Sequence, residues 1–276
     1  MRLCKNNEAW PVIYHGNGVS KKEEIFTALE LMMKNGQDWQ ESHPQDEDIT
    51  VLTWSIPTEE TILQDSFKKM GIEDSLNIIP IEKPFNWLDK IKKTMEFLDT
   101  VDTKYVMGLD ATDIIVSTDE QGRGKLWSNI IESFEGFYNA KLLWNAEKNN
   151  WPSSDGRGTS IEEDGMNGYL MSALKETETF EERIYADFLN ATYFRLNSGA
   201  FIGETEYTKL FYNKLWINYV ESVYDKGFDE SFFGGDQGFV RIMQKDCFPD
   251  MVLDYKCKIF HTFSNVRMED IDGIYE

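Results

Sequence analysis

Cysteine is scarce in this chain of 276 residues. Cys4, Cys247 and Cys257 are too few and too irregularly spaced for a disulfide framework or a zinc cluster. No apolar run approaches the roughly 20 residues that span a bilayer. Residues 1–8 lack the apolar centre of a secretory signal. These absences predict a cytoplasmic protein with no membrane partner. Positive charge is short as well: 28 Lys and Arg face 49 Asp and Glu, a net charge of −21. That balance argues against a broad basic face for wrapping nucleic acid. Candidates for a local basic patch are Lys68, Lys69, Lys90, Lys92 and Lys93. The acids gather at 41–48, 162–164 and 176–182, which read as solvated loops. No repeat and no Pro-, Gly- or Ser-rich linker divides the chain, so 1–276 is expected to form one domain.

What the chain does contain is enough apolar material for a sizeable core, 41% hydrophobic with 14% aromatic residues. Strand-like and helix-like runs alternate along it. Strands are expected at 10–14, 49–54, 76–81, 105–109, 141–145, 194–203 and 251–263. Helices are expected at 23–34, 59–70, 87–98, 126–137, 207–224 and 235–244. The stretch 149–168 reads as loop. Such alternation predicts an α/β fold with a mixed, mainly parallel central sheet flanked by helices.

Four segments carry candidate chemistry. Asp110 and Asp113 close one apolar run, 105–109, and open another, 114–116. Two acids so close call for a divalent cation, a bound basic group or a shared proton, unless they cap an Asp-rich turn. Their place at a strand's carboxyl end is where ligands gather in α/β sheets. Residues 15–21 put His15 at a strand end, with Asn17 and Gly18 in a turn and Lys21 beyond. His15 can ligate a metal, Gly18 permits close backbone approach, and Lys21 supplies a compact charge for a diphosphate; a plain glycine turn explains the same residues. Histidine numbers three in the chain, so the metal site considered is mixed, one His with two carboxylates, which suits Mn²⁺ or Mg²⁺. In 194–203, Asn197, Ser198 and Gly199 interrupt an apolar strand, as where a substrate lies on a backbone or where a strand bulges. In 234–238, glycines bracket Asp236 and Gln237, a pair able to hold sugar hydroxyls; Asp236 also suits the N-cap of the following helix, and the two readings are compatible.

Taken together these segments resemble a nucleotide-sugar glycosyltransferase, closest to the sugar-transferring domain of procollagen lysyl hydroxylases. Asp110-Ala111-Thr112-Asp113 resembles that family's Asp-x-x-Asp. Leu143-Trp144-Asn145-Ala146-Glu147 with Trp151-Pro152 resembles its Phe-Ser-Ala-Glu and later Trp-Pro. Residues 196–203 are nearly its Leu-Asn-Ser-Gly-Gly-Phe-Ile-Gly, Asp236-Gln237 match its Asp-Gln, and 253–260 resemble its Leu-Asp-His-Lys-x-Arg-Ile-Phe. His15 to Lys21 is similar to its His-Gly-Asn-Gly-Pro-Thr-Lys, a pattern shared with glycogenin-like transferases.

Two departures stand out. The His15 segment comes first here and last in the family, which implies a circular permutation of about 10–35 and requires His15 to return to Asp110 and Asp113. Gly234-Gly235 replace an acidic run that precedes the family's Asp-Gln, although glycogenin-like enzymes also carry Gly there.

The resemblance implies the GT-A type fold and transfer of a sugar from a UDP-sugar to a hydroxyl acceptor. In that reading Asp110, Asp113 and His15 hold Mn²⁺ or Mg²⁺. Lys21, Gly18 and Asn17 meet the diphosphate, and Thr53 and Trp54 meet the uridine unless they merely close a core strand. Asn197, Ser198, Asp236 and Gln237 position donor sugar and acceptor. Likeness to glycogenin implies retention of configuration. Acceptors within reach are a hydroxylated protein side chain, a small metabolite or glycan, or a hydroxymethylated base in viral DNA. A sugar-nucleotide-binding scaffold without catalysis is the alternative.

Overall fold

The computed structural model describes residues 13–16, 48–83, 86–116, 126–137, 140–156, 166–224 and 233–262. Its elements in chain order are β1 (Ile13–His15), β2 (Ile49–Ser55), α1 (Ile62–Lys69), β3 (Leu76–Pro80), α2 (Trp87–Leu98), β4 (Tyr105–Asp110) and β5 (Ile114–Val116). There follow α3 (Leu126–Phe137), β6 (Leu142–Glu147), α4 (Met166–Glu181), β7 (Arg195–Glu204), α5 (Thr205–Leu215), α6 (Glu221–Tyr224), α7 (Asp236–Ile242), α8 (Gln244–Cys247), β8 (Met251–Leu253) and β9 (Phe260–Thr262). Glu182–Phe188 continues α4 and Trp216–Val220 joins α5 to α6, both as π-helix. None of the described helices is long and apolar enough to cross a membrane.

The strands form a six-stranded sheet, β3-β2-β4-β7-β6-β8, and a three-stranded one, β5-β1-β9. In the larger sheet β2 runs parallel to β3 and β4, and β6 parallel to β8, while β7 is antiparallel to both β4 and β6. This is the expected α/β architecture with a mixed sheet. Both faces are buried because side chains alternate along each strand. Leu52, Val106, Trp144 and Phe201 point into one apolar cluster, shared with α2, α4, α5 and α7. Val51, Met107, Leu143 and Ile202 point into the other, with α1, α3 and the small sheet.

Local chemistry explains the helix ends. Thr61 and Gln64 bond each other's backbone in a capping box at the start of α1. Gly71 sits just beyond its end at φ 67°, where a side chain would be strained. Asn86 Oδ1 accepts the Leu88 N–H at 2.7 Å to open α2.

Three expectations need correction. The run 251–263 is two short strands in different sheets, not one. Asp254, fully buried, accepts the N–H groups of Lys258, Ile259 and Phe260 at 2.9, 2.7 and 2.8 Å and bends the chain between them. The acids at 176–182 lie on α4 and the turn after it, not in a loop. The buried stripe of that helix is Leu170, Leu174, Thr177 and Glu181, so two polar members conceal its apolar period. Lys90 belongs to no surface patch: it is 3% exposed, on the inner face of α2.

Candidate functional site

The site forms where the carboxyl end of β4 meets the small sheet. β4 ends on Asp110, a three-residue turn follows, and β5 starts at Ile114. β1 pairs antiparallel with β5, setting His15 opposite Ile114, and the Gly16 N–H donates to Asp113 O at 2.8 Å. His15 therefore returns to the aspartates from 95 positions upstream in sequence. Parallel pairing of β1 with β9, Ile13 against Phe260, makes neighbours of the described strands nearest the two chain ends. His15 Nε2 lies 3.3 Å from Asp113 Oδ1. One nitrogen of His15 and one oxygen each of Asp110 and Asp113 all lie within 4.8 Å of one another.

The β6–β7 pairing slips at this point. Trp144 faces Phe201 but Asn145 faces Asn197, so β7 bulges at 198–200. The bulge brings Gly199 against the imidazole: a Cβ there would sit 2.5 Å from His15 Cε1 and 2.9 Å from Nε2. Glycine is thus required for His15 to reach the aspartates. Of the two readings of this segment the bulge is what the register shows, and the group that closes on its backbone is His15.

Asp236 and Gln237, the first residues of α7, join the same cluster. Gly235, at φ 69°, occupies the cap position, and Asp236 is the first helical residue, not the cap. Its carboxylate takes the Lys90 ammonium instead, at 2.9 Å, while Lys90 also donates to Asp110 Oδ1 at 2.7 Å. The Lys90 ammonium lies 4.3 Å from the centre of the Trp54 indole. Of the alternatives for two close acids, Asp110 has a bound basic group, and Asp113 faces the imidazole. Gln237 Nε2 donates to Glu147 Oε1 at 2.9 Å and to Trp151 O at 2.6 Å, and its Oε1 accepts the Ser198 N–H at 3.3 Å. Asn197 Nδ2 donates to the same Glu147 oxygen at 3.2 Å.

Burial raises the stakes of every charge here. It pushes Asp110 up to about 6, against the pull of Lys90. Glu147, fully buried, is pushed to about 7 in spite of the Gln237 and Asn197 amides. Burial opposes charge on His15 and Lys90, yet the facing carboxylates outweigh it, Asp113 first for His15 and Asp110 first for Lys90. Both bases are held above their ordinary values.

The expected residues are thus partly assembled. His15, Asp110, Asp113, Asn197, Ser198, Asp236 and Gln237 lie in one contiguous network. Thr53 is fully buried with its hydroxyl on Leu109 O at 2.7 Å, and Trp54 donates to Thr94 at 2.8 Å, so both side chains serve the strand end. Asn17, Gly18 and Lys21 lie outside the described residues. Three members were given no role in the site from sequence, Lys90, Asn145 and Glu147. Lys90 sits at the edge of the α2 apolar arc beside Leu88 and Ile91, which is the one signal that would have marked it as inward. Asn145 stands in a strand otherwise apolar between Leu142 and Ala146.

No family model matches the chain, and no curated protein matches it. What class of protein this is must therefore come from the site. One imidazole and two carboxylates are the donor set of a hard divalent cation. The buried His15 Nε2 lacks a hydrogen-bond partner of good geometry, consistent with an edge that a ligand completes. The residues fit such an ion.

Proposed function

We propose that this protein is a metal-dependent glycosyltransferase that moves a sugar from a nucleotide donor, a UDP-sugar, to a hydroxyl acceptor. The observation that carries the reading is the convergence of His15, Asp110 and Asp113 at the carboxyl end of a central strand, with Asp236 and Gln237 on the same network. Among the described residues the carboxylates of Asp110, Asp113 and Asp236 gather there with two bases, Lys90 and His15, and Glu147, pushed to about 7, adds a partly ionised fourth. That imbalance favours a further cation and whatever anion the cation brings.

His15, Asp110 and Asp113 would hold Mn²⁺ or Mg²⁺, which when bound neutralises charge developing on a leaving diphosphate. The chain's own groups do the rest. Lys90 holds Asp110 and Asp236 in fixed orientations. Asp236, at the head of α7, and Asn197, beside the bulge, present polar groups to sugar hydroxyls. Gln237, anchored at both ends of its amide, fixes the bulged backbone through Ser198. Lys21, six residues beyond His15 in sequence, is assigned the diphosphate by the resemblance of its segment.

The test is incubation with Mn²⁺, a panel of nucleotide sugars and hydroxyl acceptors, including DNA carrying hydroxymethylcytosine, read by mass shift. Transfer or donor hydrolysis is expected, and Asp113→Asn should lose it. An undiminished rate in that variant would sink the metal assignment. Tight UDP and Mn²⁺ binding with no turnover on any acceptor would favour a binding scaffold.

A further inference from the structure

Behind His15 lies a chain of amides whose polarity can be assigned from one fixed end. The Gly199 N–H, a backbone donor, lies 2.9 Å from Asn197 Oδ1, so that atom is the acceptor. Asn197 Nδ2 then faces Glu147 Oε1 at 3.2 Å, as an acceptor there demands. The group of Asn145 that faces Asn197 Oδ1, at 3.2 Å, must be its NH₂. The Asn145 carbonyl is left to accept from Thr262 Oγ1 at 3.0 Å. An amide NH₂ has two hydrogens. One goes to Asn197, and the other points at His15 Nδ1, 3.3 Å away.

His15 Nδ1 is therefore an acceptor, and in the neutral ring the proton sits on Nε2, which lies 3.3 Å from Asp113 Oδ1 without a well-formed hydrogen bond to it. That is the wrong tautomer for a ligand. A metal-bound histidine needs a bare nitrogen toward the ion, and its other nitrogen is ordinarily a donor to a carbonyl or carboxylate. Here the far nitrogen meets a donor.

We propose that Asn145 is the positioning residue that sets the proton on His15, and that a divalent cation takes His15 Nε2 only as the Asn145 amide reverses and lets go of Asn197. The inference rests on the metal reading above. Reversal turns Asn145 Oδ1 toward His15, where it accepts an Nδ1–H, and turns Nδ2 toward Thr262 Oγ1, which has lone pairs to receive it. The ring stays neutral: Nε2 loses a proton to solvent, Nδ1 gains one, and none is released overall. Asn197 gives up its bond from Asn145 and keeps the Gly199 N–H. Occupancy at His15 is thereby transmitted to Asn197 and the bulge that begins at Ser198, and through Glu147 to Gln237.

Nitrogen-15 spectra of the full chain, with His15 assigned, test this directly. At a pH above the raised His15 value, the metal-free protein is expected to show an Nε2–H imidazole. With Zn²⁺ as a diamagnetic probe, Nε2 should show coordination, Nδ1 should carry the proton, and the Asn145 NH₂ signals should move. An Nδ1–H ring in the metal-free protein overturns the inference, as does Nε2 coordination with Asn145 unchanged. If neither Zn²⁺ nor Mn²⁺ perturbs His15, the metal reading fails and takes the inference with it. Asn145→Asp removes the donor facing His15. It should show the Nδ1–H ring before any metal is added and bind Mn²⁺ about tenfold more tightly, within the range by which outer partners tune metal sites. Affinity at or below wild type in a folded Asn145→Asp protein counts against the reversal. Should that variant not fold, the wild-type spectra decide alone.

Discussion

Replacing Lys90 by Met should destabilise the metal-free protein by about 3–5 kcal/mol, the usual cost of removing one partner from a buried ion pair. The geometry explains the size. Lys90 Nζ is 2.7 Å from Asp110 and 2.9 Å from Asp236, with its side chain 4% exposed. At an effective dielectric of about 20, each contact supplies roughly 6 kcal/mol of gross attraction, and desolvation of the ammonium offsets several kcal/mol of the sum. Methionine fills the stem's volume, so packing changes little, but it leaves two carboxylates facing each other without a cation. The assay is urea unfolding in EDTA, comparing Lys90→Met, Asp236→Asn and the double variant. The double variant should recover at least about 1 kcal/mol relative to additivity, because neutralising Asp236 removes half of the orphaned charge. Thermal midpoints should fall by roughly 10 °C in the single variant, and excess Mn²⁺ should restore part of the loss by binding the native state alone. A Lys90→Met protein within 1 kcal/mol of wild type in EDTA would refute the reasoning, since the ammonium would then contribute no more than a surface pair does.

Three further outcomes follow from particular contacts. Gly199→Ala places a methyl 2.5 Å from His15 Cε1; it should cost about 1–3 kcal/mol by overpacking and weaken Mn²⁺ binding about 10–100-fold, and unchanged calorimetric affinity would mean that His15 is not a ligand. Arg241, fully buried, donates to Glu181 Oε2 at 2.5 Å, to Asn150 Oδ1 at 2.7 Å and to Pro152 O. Arg241→Met should therefore lower stability by about 3 kcal/mol or more, which a urea midpoint near wild type would disprove. His261 is buried against Tyr193, and burial together with Lys148 depresses it from 6.5 to about 4. The unfolded chain then binds the extra proton between those values, so stability present above pH 6.5 is lost as pH falls, about 1.4 kcal/mol per pH unit and about 3 kcal/mol in all. The stability difference between wild type and His261→Gln should carry that slope; a flat difference would place the titration elsewhere.

Much of the architecture was legible because local rules produce it. Helix α3 falls on 126–137 as its apolar period requires, and β2 and β4 follow largely apolar runs that suit strands buried on both faces. Where the reading failed, a buried position had been given to a polar residue. Glu181 and Thr177 interrupt the stripe of α4, and hydropathy counts them as solvent-facing, yet Arg241 and Arg195 meet Glu181 inside the protein. Lys90 was assigned to a surface for the same reason. A charge is placed inside only when its partners are known, and Asp110 and Asp236 lie 20 and 146 positions away in the chain.

The candidate site divides along the same line. Sequence alone determined which residue types are present and where strands must end, so the pair Asp110 and Asp113 at a strand's carboxyl end, and His15 at another's, could be read directly. That His15 travels back to that pair was implied only by the resemblance of its segment to a glycosyltransferase motif. Only the tertiary structure decided the charges and protons of the site: that Asp110 is shared with Lys90, that Asp236 is bridged rather than capping, and that Asn145 confronts His15 with a donor. The physical reason is that strand and helix formation depends on neighbours a few residues away. Protonation and ion pairing depend on distances of about 3 Å between groups that only folding brings together.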